Sequence, residues 1–178
     1  MTLPTPTPTT PPLRTERLDF TPYRPEDEDH FVALLRNEVV CRWMGQDQVP
    51  EPDLRNLYKA IFTDVYPQRL FDVWGVWHEG TYIGHAECKK TGNVDGYELI
   101  TALLPAYWGK GFGTEVVHGL MRHAAENLGL KEVYGMVGAE NAASLALCRR
   151  LNARHVRDVV GDDGTVTKMI LIPLTDTI

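Results

Sequence analysis

Three glycines at alternate positions, Gly109, Gly111 and Gly113, separate a strand-like run from a long helical one, with Lys110 among them. A helix start offers unpaired backbone N–H groups and the positive end of a dipole. Glycines remove side chains from such a turn and let several N–H groups converge on one anion. Residues of this kind at this spacing bind a phosphate-bearing cofactor, or else form a purely structural turn. Upstream, Glu98 shares a strand face with Ile100, Ala102 and Leu104 by simple alternation. A carboxyl desolvated by such neighbours has a raised pKa and makes a better general base. At the start of its strand, beside Gly96 and Tyr97, the same residue also suits a solvated position. Downstream, Asn141 opens a short helical stretch in which Ser144, Leu147, Cys148 and Leu151 share one stripe. Asn is a strong helix N-cap, and capping alone accounts for it. The Ser144 hydroxyl faces inward on that stripe, or else bonds a carbonyl one turn earlier.

The spacing excludes two familiar phosphate sites. GxxxxGK[ST] is absent, and the glycines do not fit GxGxxG. Glu132 lies about twenty residues downstream, where a dinucleotide fold would want an acid. However, the preceding strands form a meander and not a βαβ unit. Cys41, Cys88 and Cys148 are widely spaced, which gives neither a disulfide framework nor a zinc site. His118 and His123 do not align on a helix face, so no metal is expected. His85 reads as a satisfied structural histidine, and Trp43, Trp74 and Trp77 as core or pocket wall. A formal net charge of −6 over 178 residues argues against a nucleic-acid surface. No apolar run is long enough to span a bilayer. The opening MTLPTPTPTTPP has neither a basic nor an apolar signal-peptide region. A cytoplasmic protein with reduced thiols is expected, with a Pro/Thr-rich tail at 1–13 and one domain at 14–178.

The elements that position these residues follow from periodicity. Arg17–Tyr23 reads as a strand, Pro25 opens a helix, and a further helix begins near Pro52. Phe71–Trp77 and Tyr82–Cys88 read as a hairpin across His78–Thr81, followed by a third strand, Tyr97–Leu104. The long helix covers Phe112 to Leu128, with Gly129 at its left-handed end. A strand at Glu132–Val137, a helix at Asn141–Leu151 and a hairpin of Ala153–Val160 with Val166–Pro173 complete the chain. One mixed sheet with helices on both faces is the economical α/β architecture.

Pro105–Glu115, PAYWGKGFGTE, resembles the acyl-coenzyme A pyrophosphate loop of GNAT acetyltransferases, in the "WGKGyatE" form of the Rim-type branch. Glu98–Pro105 resembles the branch's "EIGYxLxP", with Ile100 and Thr101 in place of Gly and Tyr. Asn141–Ser144 with Leu151–Ala153 resembles "NxxSxxxxEKxGF", with Asn152 at the helix-ending glycine. That branch contains ribosomal-protein N-terminal acetyltransferases and acetyltransferases of small amines and antibiotics. The resemblance implies a mixed, mostly antiparallel GNAT sheet and direct transfer of the acetyl group of acetyl-CoA to an amine. It assigns cofactor binding to Leu103 and Leu104 through backbone N–H groups, and to Trp108, Gly109, Lys110, Gly111, Phe112, Gly113, Thr114 and Asn141. A homodimer is in keeping with it.

Such a transfer needs a neutral amine, donors for the developing oxyanion, and a proton or hydrogen bond for the departing thiolate. Glu98 is the candidate base and Ser144 the candidate partner of the thiolate. Cys148 occupies the position where some GNAT enzymes carry a Tyr acid, and its apolar surroundings do not suit a nucleophile. The acceptor is expected to be a primary amine, of a small molecule or of a peptide N-terminus. The acidic residues Glu26, Asp47, Glu51 and Asp53 are expected near it. A catalytically silent acyl-CoA-binding module would carry the same motifs.

Overall fold

Proline-rich chain cannot enter a sheet interior, and here its described part runs along the outside of one. The structure, a computed structural model, describes residues 10–44 and 46–174. Thr10 is buried and its hydroxyl donates to Asp72, while the Pro11 carbonyl accepts the Trp74 indole N–H at 2.7 Å. The sequence places residues 1–13 in a free tail; residues 1–9 lie outside the described residues, and Thr10 and Pro11 are docked by the polar partners that Asp72 and Trp74 offer. A two-residue strand β1 (Leu13–Arg14) pairs with β2 (Leu18–Thr21).

Pro25–Asp27 forms a 3-10 turn and leads into α1 (Glu28–Arg36), as the proline and the acidic first turn foretell. α2 (Glu38–Met44) follows, a helix that the sequence reading misses. α3 (Glu51–Ala60) continues through a π-helical stretch, Ile61–Val65, into the short α4 (Tyr66–Gln68), and Arg69 ends it in left-handed geometry. β3 (Asp72–His78) and β4 (Thr81–Lys90) form the expected hairpin; Glu79 and Gly80 both take positive φ, which a two-residue turn requires. β5 (Tyr97–Leu103) completes the meander.

α5 (Phe112–Glu126) begins at Gly111, whose φ of 82° only glycine adopts freely. It buries Phe112, Val116, Leu120 and Ala124. Each large apolar side chain among them contributes about 1.5–3 kcal/mol on burial. Gly129 closes the helix with φ 65°, and the Leu130 N–H donates back to the Ala124 carbonyl at 3.0 Å. β6 (Glu132–Gly138), α6 (Ala142–Arg150), β7 (Arg154–Val160) and β8 (Val166–Pro173) finish the fold.

The eight strands lie in the order β1-β2-β3-β4-β5-β6-β8-β7. One core, with Phe20, Trp74, Ile83 and Leu99, packs under α5. A second, with Tyr23, Phe31, Leu54, Tyr58 and Val73, packs under α1 and α3 on the other face. This is the mixed, mostly antiparallel α/β sheet expected, with helices on both sides. The exception to antiparallel pairing is β5 with β6, which run parallel and meet at one pair of residues, Glu98 and Tyr134. Beyond that point the two strands separate.

Candidate active site

Because β5 and β6 part after Glu98–Tyr134, two strand edges face each other across open space. The result is a cleft of about 630 Å³, floored by Leu99–Leu103, bounded by Gly135–Val137 and by Asn141–Ser144, and open at the glycine turn. Hydrogen bonding alternates along an antiparallel strand. The Leu104 N–H donates to the Ile83 carbonyl at 2.8 Å, on the β4 side. Alternation therefore turns the N–H groups of Leu103 and Thr101 toward β6 and the cleft. Of the two leucines expected to offer free N–H groups, Leu103 fits and Leu104 does not, since the sheet already uses its donor.

The glycine turn stands at the mouth. Gly109 and Gly111 have φ of 73° and 82°, and Gly109 is surrounded by open space. Glu115 makes the first intrahelical bond to Gly111, so the N–H groups of Phe112, Gly113 and Thr114 remain unpaired within the helix. Gly109, Gly113 and Trp108 line the cleft. The Trp108 indole N–H donates to the Leu103 carbonyl at 2.9 Å, which folds the turn back over the strand end. The Phe112 side chain is core, and Lys110 projects outward with its ammonium 5.8 Å from the Tyr107 ring. Any part these two play in anion binding is through backbone or long-range charge.

Asn141 caps α6, its side-chain oxygen accepting the Ser144 N–H at 3.2 Å. Ser144 lines the cleft, and its hydroxyl has no hydrogen-bond partner among the described residues. The back-bonded alternative is therefore not adopted. Cys148 also lines the cleft, and burial raises its thiol pKa, consistent with no nucleophilic role. Glu98 is 4% exposed, so the solvated alternative for it is not adopted either. Its Oε2 accepts from the Thr91 hydroxyl at 2.7 Å and from the Asn93 amide at 3.5 Å. Its Oε1 has no hydrogen-bond partner among the described residues, and the residue lines the cleft. One oxygen is thus held while the other is available.

Sequence reasoning offered Trp43 as core or pocket wall, but missed the helix that carries it and one further support. Val40, Trp43, Met44 and Gln46, from α2 and just after it, wall the cleft, and Trp43 meets Trp108 edge-to-face with ring centroids 6.3 Å apart. Arg17 donates to Glu115 at 2.8 Å and to the Lys110 carbonyl at 3.1 Å, with its guanidinium 4.2 Å from the Phe112 ring centroid. That clamp holds the glycine turn from behind. The sequence read Arg17 only as the first residue of a strand, and nothing there foretold a partner nearly a hundred residues away.

A second buried network lies on the face shared with Glu98. His85 Nε2 meets Glu87 at 2.8 Å, His85 Nδ1 meets the Tyr23 hydroxyl at 2.7 Å, and Lys89 lies 2.9 Å from Glu87. Burial alone would raise the Glu87 carboxyl, but the hydrogen bond and charge of His85, with Lys89, bring it down to about 2. His85 is therefore fully satisfied, as a structural histidine should be. No group of three His, Cys, Asp or Glu among the described residues suits a metal ion. No described helix is long and apolar enough to cross a membrane.

Residues 17–154 match the family model of the acetyltransferase (GNAT) domain. The chain belongs to the GNAT acetyltransferases. It is 26% identical to the uncharacterised N-acetyltransferase YoaA of Bacillus subtilis over 163 residues, 86% of this chain and 90% of that protein. A GNAT-family acetyltransferase structure from Bacillus anthracis superposes with a TM-score of 0.75 at 16% identity, covering 92% and 98% of the two chains. Spermidine N-acetyltransferase from Vibrio cholerae, solved with CoA and spermine, gives 0.77 at 17%, covering 90% and 97%. The fold expectation is met, and the enzyme is an acetyl-CoA-dependent N-acetyltransferase. The GNAT cleft has the parts that this co-substrate needs: unpaired N–H groups at a left-handed glycine turn, a free strand edge, and a mouth between them.

Proposed function

We propose that this GNAT enzyme moves the acetyl group of acetyl-CoA directly to the primary amine of a small molecule, both substrates meeting in the β5–β6 cleft. The observation that carries this reading is the buried Glu98, with one carboxylate oxygen held by Thr91 and Asn93 and the other available to the cleft. In this reading Glu98 takes the proton of the attacking amine, directly or through one water. The new C–N bond forms as the C–S bond breaks, and Ser144, whose hydroxyl is unengaged, donates to the departing sulfur. The Leu103 and Thr101 N–H groups hold the donor's amide-bearing arm along β5, while Gly109–Thr114 hold its pyrophosphate. The similarity in fold to a spermidine acetyltransferase supports a small-amine acceptor. The three motifs that resemble the Rim-type branch support placing the chain there, the same resemblance supports a homodimer, and the widely spaced, unpaired cysteines support a cytoplasmic location.

The test is a side-by-side assay of thiol release from acetyl-CoA with small primary amines and with short peptides bearing free α-amines. Turnover of small amines with Glu98→Gln severely impaired is the expected result. Selective acetylation of peptide α-amines would move the assignment to protein N-termini, and acetyl-CoA binding without turnover of any amine would make the protein a sensing module.

A further inference from the structure

The acidic residues that the sequence suggested for the acceptor's surroundings are turned away from the cleft. Glu51 pairs with Arg36 at 2.6 Å and with Arg55 at 2.8 Å on the outer surface of α1 and α3, and Glu26 pairs with Arg24. None of Glu26, Asp47, Glu51 and Asp53 lines the cleft. What does line it on the acceptor side follows from strand alternation. Leu99 and Leu103 join the core under α5, so Glu98 and Ile100 point to the opposite face, the face of α2. Tyr134 stands beside Glu98, which puts Met136, two residues on, with them. The acceptor half is therefore walled mainly by Val40, Trp43, Met44, Ile100 and Met136, with Gln46 and Asn93 as neutral polar groups and Glu98 as its carboxylate. The cleft's other acidic residue, Glu140, is exposed on the loop before α6, beside the cap residue Asn141.

A second ammonium on an acceptor would have to lose its hydration against that wall, which among the described residues offers it no carboxylate besides Glu98, and this is strongly unfavourable. An alkyl or aryl group would instead gain by burial, and the exposed Trp43 face and the flexible Met44 and Met136 side chains suit varied apolar shapes. Resting on the function proposed above, we infer that the acceptor is a monoamine with an apolar body, an alkyl- or arylalkylamine, and not a polyamine. Glu98 takes the single amino group, and the α2 wall takes the rest of the molecule.

The test is a homologous series on the wild-type enzyme: n-propylamine to n-heptylamine, the matching α,ω-diamines, phenethylamine and spermidine, with kcat/KM measured for each. Each added methylene of a monoamine is expected to raise kcat/KM about three- to fourfold, the equivalent of ~0.8 kcal/mol for a buried methylene. Each diamine should fall at least tenfold below the monoamine of equal length. Met44→Glu, which puts a carboxylate in the wall, should narrow or reverse that gap. A flat monoamine series, or diamines and spermidine as good as monoamines, would overturn the inference while leaving small-amine acetylation standing. A Met44→Glu enzyme that turns over but keeps the wild-type preference would overturn the wall assignment. If calorimetry shows acetyl-CoA bound and no amine in the panel is acetylated, the parent reading falls and takes this one with it.

Discussion

Arg17→Ala tests whether the clamp behind the glycine turn serves stability alone or also the cofactor. The substitution removes an ion pair to Glu115, a hydrogen bond to the Lys110 carbonyl, and a cation–π contact with Phe112. The Arg17 side chain is 40% exposed, so the ion pair is screened and is credited with no more than about 1 kcal/mol. A hydrogen bond to a carbonyl adds about 0.5–1.5 kcal/mol, and an exposed cation–π contact about 0.5–1 kcal/mol. The sum, roughly 2 kcal/mol, corresponds to a fall in Tm of about 4–8 °C for a domain of this size. The released turn must also be re-ordered when the pyrophosphate binds. Fixing one residue's backbone costs roughly 1–2 kcal/mol, which weakens acetyl-CoA by about tenfold. The assay pairs thermal denaturation without ligand with calorimetric titration of acetyl-CoA well below the melting range. Arg17→Lys, which keeps the charge but loses the fork, should fall between. An Arg17→Ala protein that melts as wild type, or that melts lower yet binds acetyl-CoA equally tightly, would refute the clamp as a determinant of the loop.

The partner of that clamp gives a pH signature. Burial pushes the Glu115 carboxyl up, but hydrogen bonds from Thr15 and Arg17 with the Arg17 charge outweigh it and hold it below its usual range. The stabilisation is therefore present above the unfolded value near ~4.3 and lost as pH falls through the folded pKa, so urea midpoints of Glu115→Gln should decline less than wild type on acidification through that window. Glu87→Gln should destabilise by roughly 1–3 kcal/mol, because it disturbs the buried hydrogen bond to His85 and removes the partner charge of Lys89; a urea midpoint within error of wild type would contradict the network. Glu98→Gln should lower kcat by about 10²–10⁴-fold, whereas Ser144→Ala should lower kcat with acetyl-CoA affinity unchanged by calorimetry. Gly84→Ala should fail to fold stably, since the added carbon would sit 2.3 Å from the Ala102 carbonyl oxygen.

Much of this enzyme was legible because its signals were local. The β3–β4 hairpin announced itself by alternation and by Glu79-Gly80, the long helix by its stripe and Gly129, and the α6 cap by Asn141. The burial of Glu98 was only half legible: alternation aligned it with Ile100 and Ala102, but its place at the strand start beside Gly96 suited solvent as well. What stayed hidden depends on contacts distant in sequence. α2 is seven residues with two adjacent valines, too short for periodicity to show, and it is held by packing on β5 and β6. The Arg17 clamp joins residues about a hundred positions apart, and the loss of Leu104 as a free donor depends on its pairing with Ile83. The acidic residues before β3 were read by composition as acceptor walls, but composition does not reveal facing: none of them lines the cleft, and Glu51 and Glu26 pair with arginines instead.

The one-residue junction of β5 with β6 also divides the sheet's hydrogen bonding into two blocks, joined beneath by the core under α5. Residues up to β5 close most of their sheet hydrogen bonds between neighbours in the chain, while β6, β8 and β7 pair among themselves. Between the blocks, the covalent tie is α5, and the ladder is a single rung at Glu98 and Tyr134. Amide hydrogens of β6, β7 and β8 should therefore exchange through a partial opening that leaves β2–β5 protected. A ligand arm lying along both free edges would bridge the blocks and merge the two exchange regimes into one. By the function proposed above, the acetyl-CoA arm would take the place of the missing strand, so the separation that makes room for chemistry is also where a bound substrate would knit the sheet together.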